Sequence, residues 1–81
     1  MSMIRLFIES VVKGLVDNPS AVSVQQVAIE NSTAVVIQIR VAGGDIARVI
    51  GSEGRVFRAL RTASNLLAPG QIKEIVVDVA S

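Results

Sequence analysis

Apolar residues recur at helical spacing along the first stretch of the chain: Ile4, Phe7/Ile8, Val11/Val12 and Leu15. They form the buried stripe of a helix predicted over 3–16. Arg5, Glu9 and Lys13 stand on its other side at i, i+4, i+8, an exposed charge ladder. Ser2 is placed to cap this helix, Gly14 weakens its end, and Asp17-Asn18-Pro19 stops it. The period then changes to two. Residues 22–30 read as a strand, but Val22 and Val24 share one parity while Val27 and Ile29 share the other. A bulge or mid-strand shift is expected to reconcile them. Asn31-Ser32 is a hairpin-turn candidate. Residues 33–42 alternate well, with Val35, Ile37, Ile39 and Val41 on one face and Gln38 and Arg40 on the other.

Gly43-Gly44 ends that strand, and Asp45 is expected to cap a short helix over 46–50. A second helical stripe follows: Phe57, Leu60, Ala63/Ser64 and Leu67, with Arg55, Arg58 and Arg61 in a band beside it. Ala68-Pro69-Gly70 breaks this helix. Residues 72–79 form a last strand, with Ile75, Val77 and Val79 inward and Glu74 and Asp78 outward. The predicted order is α-β-β-α-α-β: an α+β domain spanning 1–81, with helices on one face of a three-stranded sheet.

Between the two later helices lies Val49-Ile50-Gly51-Ser52-Glu53-Gly54-Arg55. Glycine at both ends of a four-residue turn suits a backbone that takes positive φ or comes close to another group. The helix starting there aims free N–H groups and its positive dipole end out of the turn, an arrangement suited to phosphate. A Gly-x-x-Gly loop clamping a nucleic-acid backbone is the mark of the KH module. Short glycine spacings also occur in plain helix–helix turns, so the motif gains weight only from its surroundings.

Composition narrows the reading. Hydrophobic residues make up 51% of the 81 positions, enough for a core without staples. The chain has no Cys, His, Tyr or Trp. That removes disulfides, the usual neutral-pH general base, the common nucleophile–base pairs and most zinc ligands. Its acids fall in no recognisable pair. The expectation is a non-enzymatic protein with no cofactor and no metal. No h-region and no run of about 18 apolar residues occurs, so no membrane role and a cytoplasmic location are expected. The net charge of +1 is uneven: Arg40, Arg48, Arg55, Arg58 and Arg61 face only Asp45 and Glu53 between positions 40 and 62. Positive charge therefore gathers around the glycine turn, a modest footprint for a polyanion.

With Gly-x-x-Gly between its second and third helices, this order resembles the type II KH fold. Leu15-Val16-Asp17-Asn18-Pro19, Val49-Ile50-Gly51-x-x-Gly54-Arg55 and Ala59-Leu60-Arg61-Thr62 resemble the small bacterial single-KH-domain proteins of the KhpA family. The likeness covers essentially the whole chain. It implies an RNA-binding protein of the bacterial cytoplasm, a post-transcriptional regulator or RNA chaperone, in some bacteria tied to cell elongation and division and so to cell shape. It also implies a homodimer, or a heterodimer with a larger KhpB (Jag) type KH protein. Gly51 and Gly54 match the loop glycines and Arg55 the basic residue after them. The first variable loop position, commonly Lys in the family, is Ser52 here, and the second is Glu53. An acid there opposes phosphate by like charge.

The expected mechanism lays single-stranded RNA along a groove beside the turn. Backbone N–H groups of residues 52–55 contact phosphate, Arg48, Arg55 and Arg58 add charge, and Ile50 floors the bases. The site set is thus Arg48, Ile50, Gly51, Ser52, Glu53, Gly54, Arg55 and Arg58. Phe7 and Phe57, the two aromatics, both sit on inward stripes and are expected in the core, so base–aromatic stacking is absent. The competing reading is a protein–protein module that pairs through the KH face, favoured by the apolar fraction and by Glu53. A small-molecule sensor or enzyme accessory subunit has no ligand motif behind it.

Overall fold

A computed structural model describes all residues except Met1, Ser2, Pro69, Gln71 and Lys73. The expected Ser2 cap, and the proline of the 68–70 break, lie outside the described residues. The elements are α1 (Met3–Leu15), β1 (Ser23–Ala28), β2 (Ala34–Arg40), α2 (Ile46–Ile50), α3 (Arg55–Leu67) and β3 (Glu74–Ala80), in the predicted α-β-β-α-α-β order. Short 3₁₀ turns over Pro19–Ala21, Gly43–Asp45 and Ser52–Gly54 join them. β2 lies at the centre of the sheet, antiparallel to β1 and parallel to β3. A parallel pair needs a crossover; α2, the glycine turn and α3 supply it.

The inward rows run in register across the sheet: Val24, Ile39 and Val79; Ala28, Val35 and Ile75. Ile4, Ile8 and Val12 of α1, Val49 of α2 and Leu60 of α3 close over them. Ser64 is fully buried in the same layer, its hydroxyl donating to the Leu60 carbonyl at 2.7 Å. On the solvent side of α1, Lys13 donates to Glu9 at 3.0 Å and Arg5 at 2.9 Å. Lys13 first, with Arg5, holds the Glu9 carboxyl below its ordinary value. Among the described residues no helix is long and apolar enough to cross a membrane.

Three expectations fail for identifiable reasons. No bulge interrupts β1; its register to β2 is continuous from Ser23 to Ala28. Val27 therefore faces away from the helices beside Val36 and Val76, and Ile29 beyond the strand end is exposed too. Phe7 is not core: it is 40% exposed. A helix on a flat sheet buries one narrow line, here Ile4, Ile8 and Val12 at i, i+4, i+8, and the flanking positions are left at its rim. Leu15 and Leu67, at the ends of their helices, are exposed for the same reason. Phe57 is half-buried and packs on the core from α3.

Candidate functional site

Gly51 closes α2, its N–H donating to the Ala47 carbonyl at 2.9 Å. Its backbone sits at φ 79°, ψ 171°, a region essentially reserved for glycine. A Cβ there would lie 2.6 Å from Val56 Cγ2 and 2.9 Å from the Val56 backbone nitrogen. So Gly51 is required twice, by dihedral and by close approach to the first turn of α3. Gly54 takes the left-handed conformation, φ 72°, ψ 19°, with only the far end of the Arg58 side chain in ordinary contact distance of where a Cβ would stand. Between them Glu53 is also left-handed, at φ 56°.

The turn keeps only part of its donor set for a ligand. Gly54 N–H donates to the Gly51 carbonyl at 3.1 Å, and Arg55 N–H to the Ser52 carbonyl. Of the four N–H groups expected to meet phosphate, those of Gly54 and Arg55 are therefore spent inside the turn. Ser52 and Glu53 are left, where a tight 3₁₀ turn has no upstream acceptor to give them. Both residues are exposed, and Ile50 is half-buried behind them.

The three arginines of the predicted site have different surroundings. Arg58 lies over the turn: its Nη1 is 3.7 Å from where a Gly54 Cβ would stand. Arg55 faces Glu53, Nη2 to Oε2, at 3.8 Å, with both side chains largely in solvent. Arg48 reaches along the surface toward the end of α1, Nη2 at 3.0 Å from Asp17 Oδ2 and Nε at 3.6 Å from Asp45 Oδ1. The structure thus groups Ile50, Gly51, Ser52, Glu53, Gly54, Arg55 and Arg58 at the turn and engages Arg48 elsewhere.

That engagement corrects the expectation for Asp45. It precedes α2 but makes no side-chain bond to that helix. Its carboxylate, 3% exposed as a residue, instead accepts the backbone N–H groups of Asp17 and Asn18, each at 3.1 Å. Where α1 unwinds before Pro19, those donors have lost their helical acceptors, and the buried carboxylate serves both. α2 starts through a 3₁₀ turn instead, with Asp45 N–H donating to the Ala42 carbonyl at 2.8 Å. Asp45 is thus the bolt between the end of α1 and the helix that leads into the glycine turn. No sequence periodicity links positions 17 and 45, and nothing in the chain's pattern marked the pair.

The site can hold an extended polyanion: two N–H groups without an internal acceptor among the described residues, the positive end of a 13-residue helix, and the Arg55 and Arg58 guanidinium groups.

Comparison with known proteins agrees with this layout. The family profile "KhpA/KhpB, KH domain" matches residues 5–79. The chain is 35% identical to the "RNA-binding protein KhpA" of Caldanaerobacter subterraneus subsp. tengcongensis over 72 residues, 89% of this chain and 93% of that one. It is 35% identical to that of Clostridium acetobutylicum over 75 residues, 93% and 97% of the two chains. The likeness to the Aquifex aeolicus protein is 37% over 79 residues, 98% of each chain. No solved structure matches it. With the α-β-β-α-α-β order, the Gly51–Gly54 turn between α2 and α3 and a profile match over nearly its whole length, the chain belongs to the KhpA/KhpB KH-domain family.

Proposed function

We propose that this chain binds single-stranded RNA without catalysis, as a cytoplasmic factor in post-transcriptional control, holding the RNA backbone at the Gly51–Gly54 turn. The observation that carries this reading is the turn itself. Two glycines at positive φ shape a turn in which the Ser52 and Glu53 N–H groups, at the start of α3, have no internal acceptor among the described residues. The relatives named as RNA-binding proteins support it. Arg55 and Arg58 supply charge to the phosphates, and Ile50 gives an aliphatic floor in place of an aromatic platform. Affinity is modest and sequence preference weak, because nothing at the turn reads base edges.

Replacing Ser52 with Asp tests this directly. It sets a second acid beside Glu53, at a helix start that must accept phosphate. Anisotropy titration of a labelled single-stranded oligoribonucleotide is expected to show severalfold weaker binding with an unchanged melting temperature. Unchanged affinity would take the turn out of the mechanism.

One observation favours pairing as a second role. Leu66 on α3 is 82% exposed, and Met3 and Phe7 on α1 are also open to solvent. A second copy, or a homologous KhpB-type KH chain, would cover such residues. Sedimentation at tens of micromolar is expected to show a dimer that Leu66→Lys converts to monomer. A wild-type protein monomeric at that concentration leaves only the heterologous partner.

A further inference from the structure

We infer that the free protein screens the two cations flanking its glycine turn with its own carboxylates, Asp17 on Arg48 and Glu53 on Arg55, and that a polyphosphate backbone binds by displacing them. This deepens the proposed RNA reading and rests on it.

In sequence Arg48 and Arg55 flank the turn, three residues before Gly51 and one after Gly54, although Arg48 is held on Asp17 and Asp45 in the free protein. Each has an acid on it, at 3.0 Å for Asp17 and 3.8 Å for Glu53. Arg58 makes no ion pair among the described residues. The acids that cover the flanking cations are themselves in solvent, with side-chain exposures of 76% for Asp17 and 77% for Glu53. Exposed pairs of this kind are weak and are screened by salt. Charge-assisted bonds from guanidinium to phosphate are stronger and frequently bidentate. Phosphate can therefore take the arginine while the carboxylate swings into water. Asp45, the third acid near Arg48, is buried on two backbone N–H groups and stays where it is.

Glu53 supports the same conclusion from its backbone. At φ 56° it occupies a conformation that glycine or asparagine takes with less strain. Nothing local to the turn calls for an acid there: the Glu53 side chain accepts no cap bond from α3. What its carboxylate does is neutralise Arg55. The consequence is a site that is electrostatically quiet when empty. Arg58 makes the first contact, and Arg48 and Arg55 join as their counter-ions leave. Affinity stays low and exchange between RNAs fast.

The test is a pair of double-mutant cycles read by anisotropy on a labelled single-stranded oligoribonucleotide across a salt series. Asp17→Asn and Glu53→Gln are each expected to tighten binding about three- to fivefold, the scale of one released exposed ion pair. Each is also expected to steepen log K against log salt, because in the wild type salt weakens the ion pair that must be displaced and so offsets part of the loss of phosphate contacts. In an Arg48→Gln background the Asp17→Asn gain is expected to vanish, and in Arg55→Gln the Glu53→Gln gain. Gains that persist without the partner arginine would show general repulsion and overturn the inference, as would no gain at all. The Asp17 substitution leaves its backbone bond to Asp45 in place, so melting temperatures are expected to hold. If neither wild type nor any variant binds at low salt, the RNA reading itself falls, and this inference with it; binding without coupling removes the inference alone.

Discussion

Replacing Gly51 with Ala is expected to destabilise the fold by about 2–4 kcal/mol and to weaken RNA binding more than tenfold. The backbone at φ 79°, ψ 171° is one that a residue with a Cβ leaves at a cost of about 1–3 kcal/mol. The new methyl would also meet Val56 Cγ2 at 2.6 Å and the Val56 nitrogen at 2.9 Å. The nitrogen belongs to the first turn of α3 and cannot move without the helix, so overpacking adds to the strain. Val56→Ala in the same chain is expected to recover only a small part, since it removes the Cγ2 contact but leaves the Cβ and backbone nitrogen at 2.9 Å and the dihedral unchanged. Gly54→Ala is the contrast: a left-handed residue whose added methyl would meet only the Arg58 guanidinium, at an ordinary 3.7 Å, costing about 1 kcal/mol. Urea unfolding ranks the three variants, and anisotropy at a temperature where each is folded reads the binding. Equal costs at the two glycines would mean that the close approach to Val56 does not hold the turn.

Replacing Asp45 with Ala is expected to cost about 3 kcal/mol, in the range for removing one partner of a buried charged cluster. The part-buried Asp17 and Asn18 N–H groups lose their acceptor and Arg48 loses one of two carboxylates. An unmet donor fully out of water carries a penalty of about 1–3 kcal/mol; these part-buried amides fall at the low end of it, and the larger cost is the lost tie between the two helix ends. Asp45→Asn is expected to cost less, because one amide oxygen still accepts. Hydrogen exchange gives a local reading: the Asp17 and Asn18 amides should lose protection in Asp45→Ala before the β2 amides do. A variant within about 0.5 kcal/mol of wild type would falsify the assignment of Asp45 as the link between α1 and α2.

These two residues had opposite legibility in the sequence. Gly51 was visible at once, because a glycine pair at fixed spacing between two helical patterns demands positive φ whatever surrounds it. Asp45 was read as a helix cap, a local role that its position before α2 suggested. The carboxylate went instead to donors 27 and 28 residues away. Likewise Arg48, Arg55 and Arg58 looked alike as a basic cluster, yet each has a different neighbour: Asp17 and Asp45, Glu53, and the open side of Gly54.

Taken alone, the sequence determined the element order, the strand faces of β2 and β3, the position of the turn and the α+β class. Those follow from period and from glycine and proline chemistry, which act over a few residues. Only the tertiary structure decided which apolar residues stay outside. A helix laid on a sheet buries a line rather than a half-cylinder, which strands Phe7 and Leu15, and an unbroken β1 register turns Val27 outward. It also decided which N–H groups of the turn remain open and which arginines are already covered. The first follows from the 3₁₀ geometry of the turn and the second, for Arg48, from Asp17 at the far end of α1, and periodicity carries no information about either.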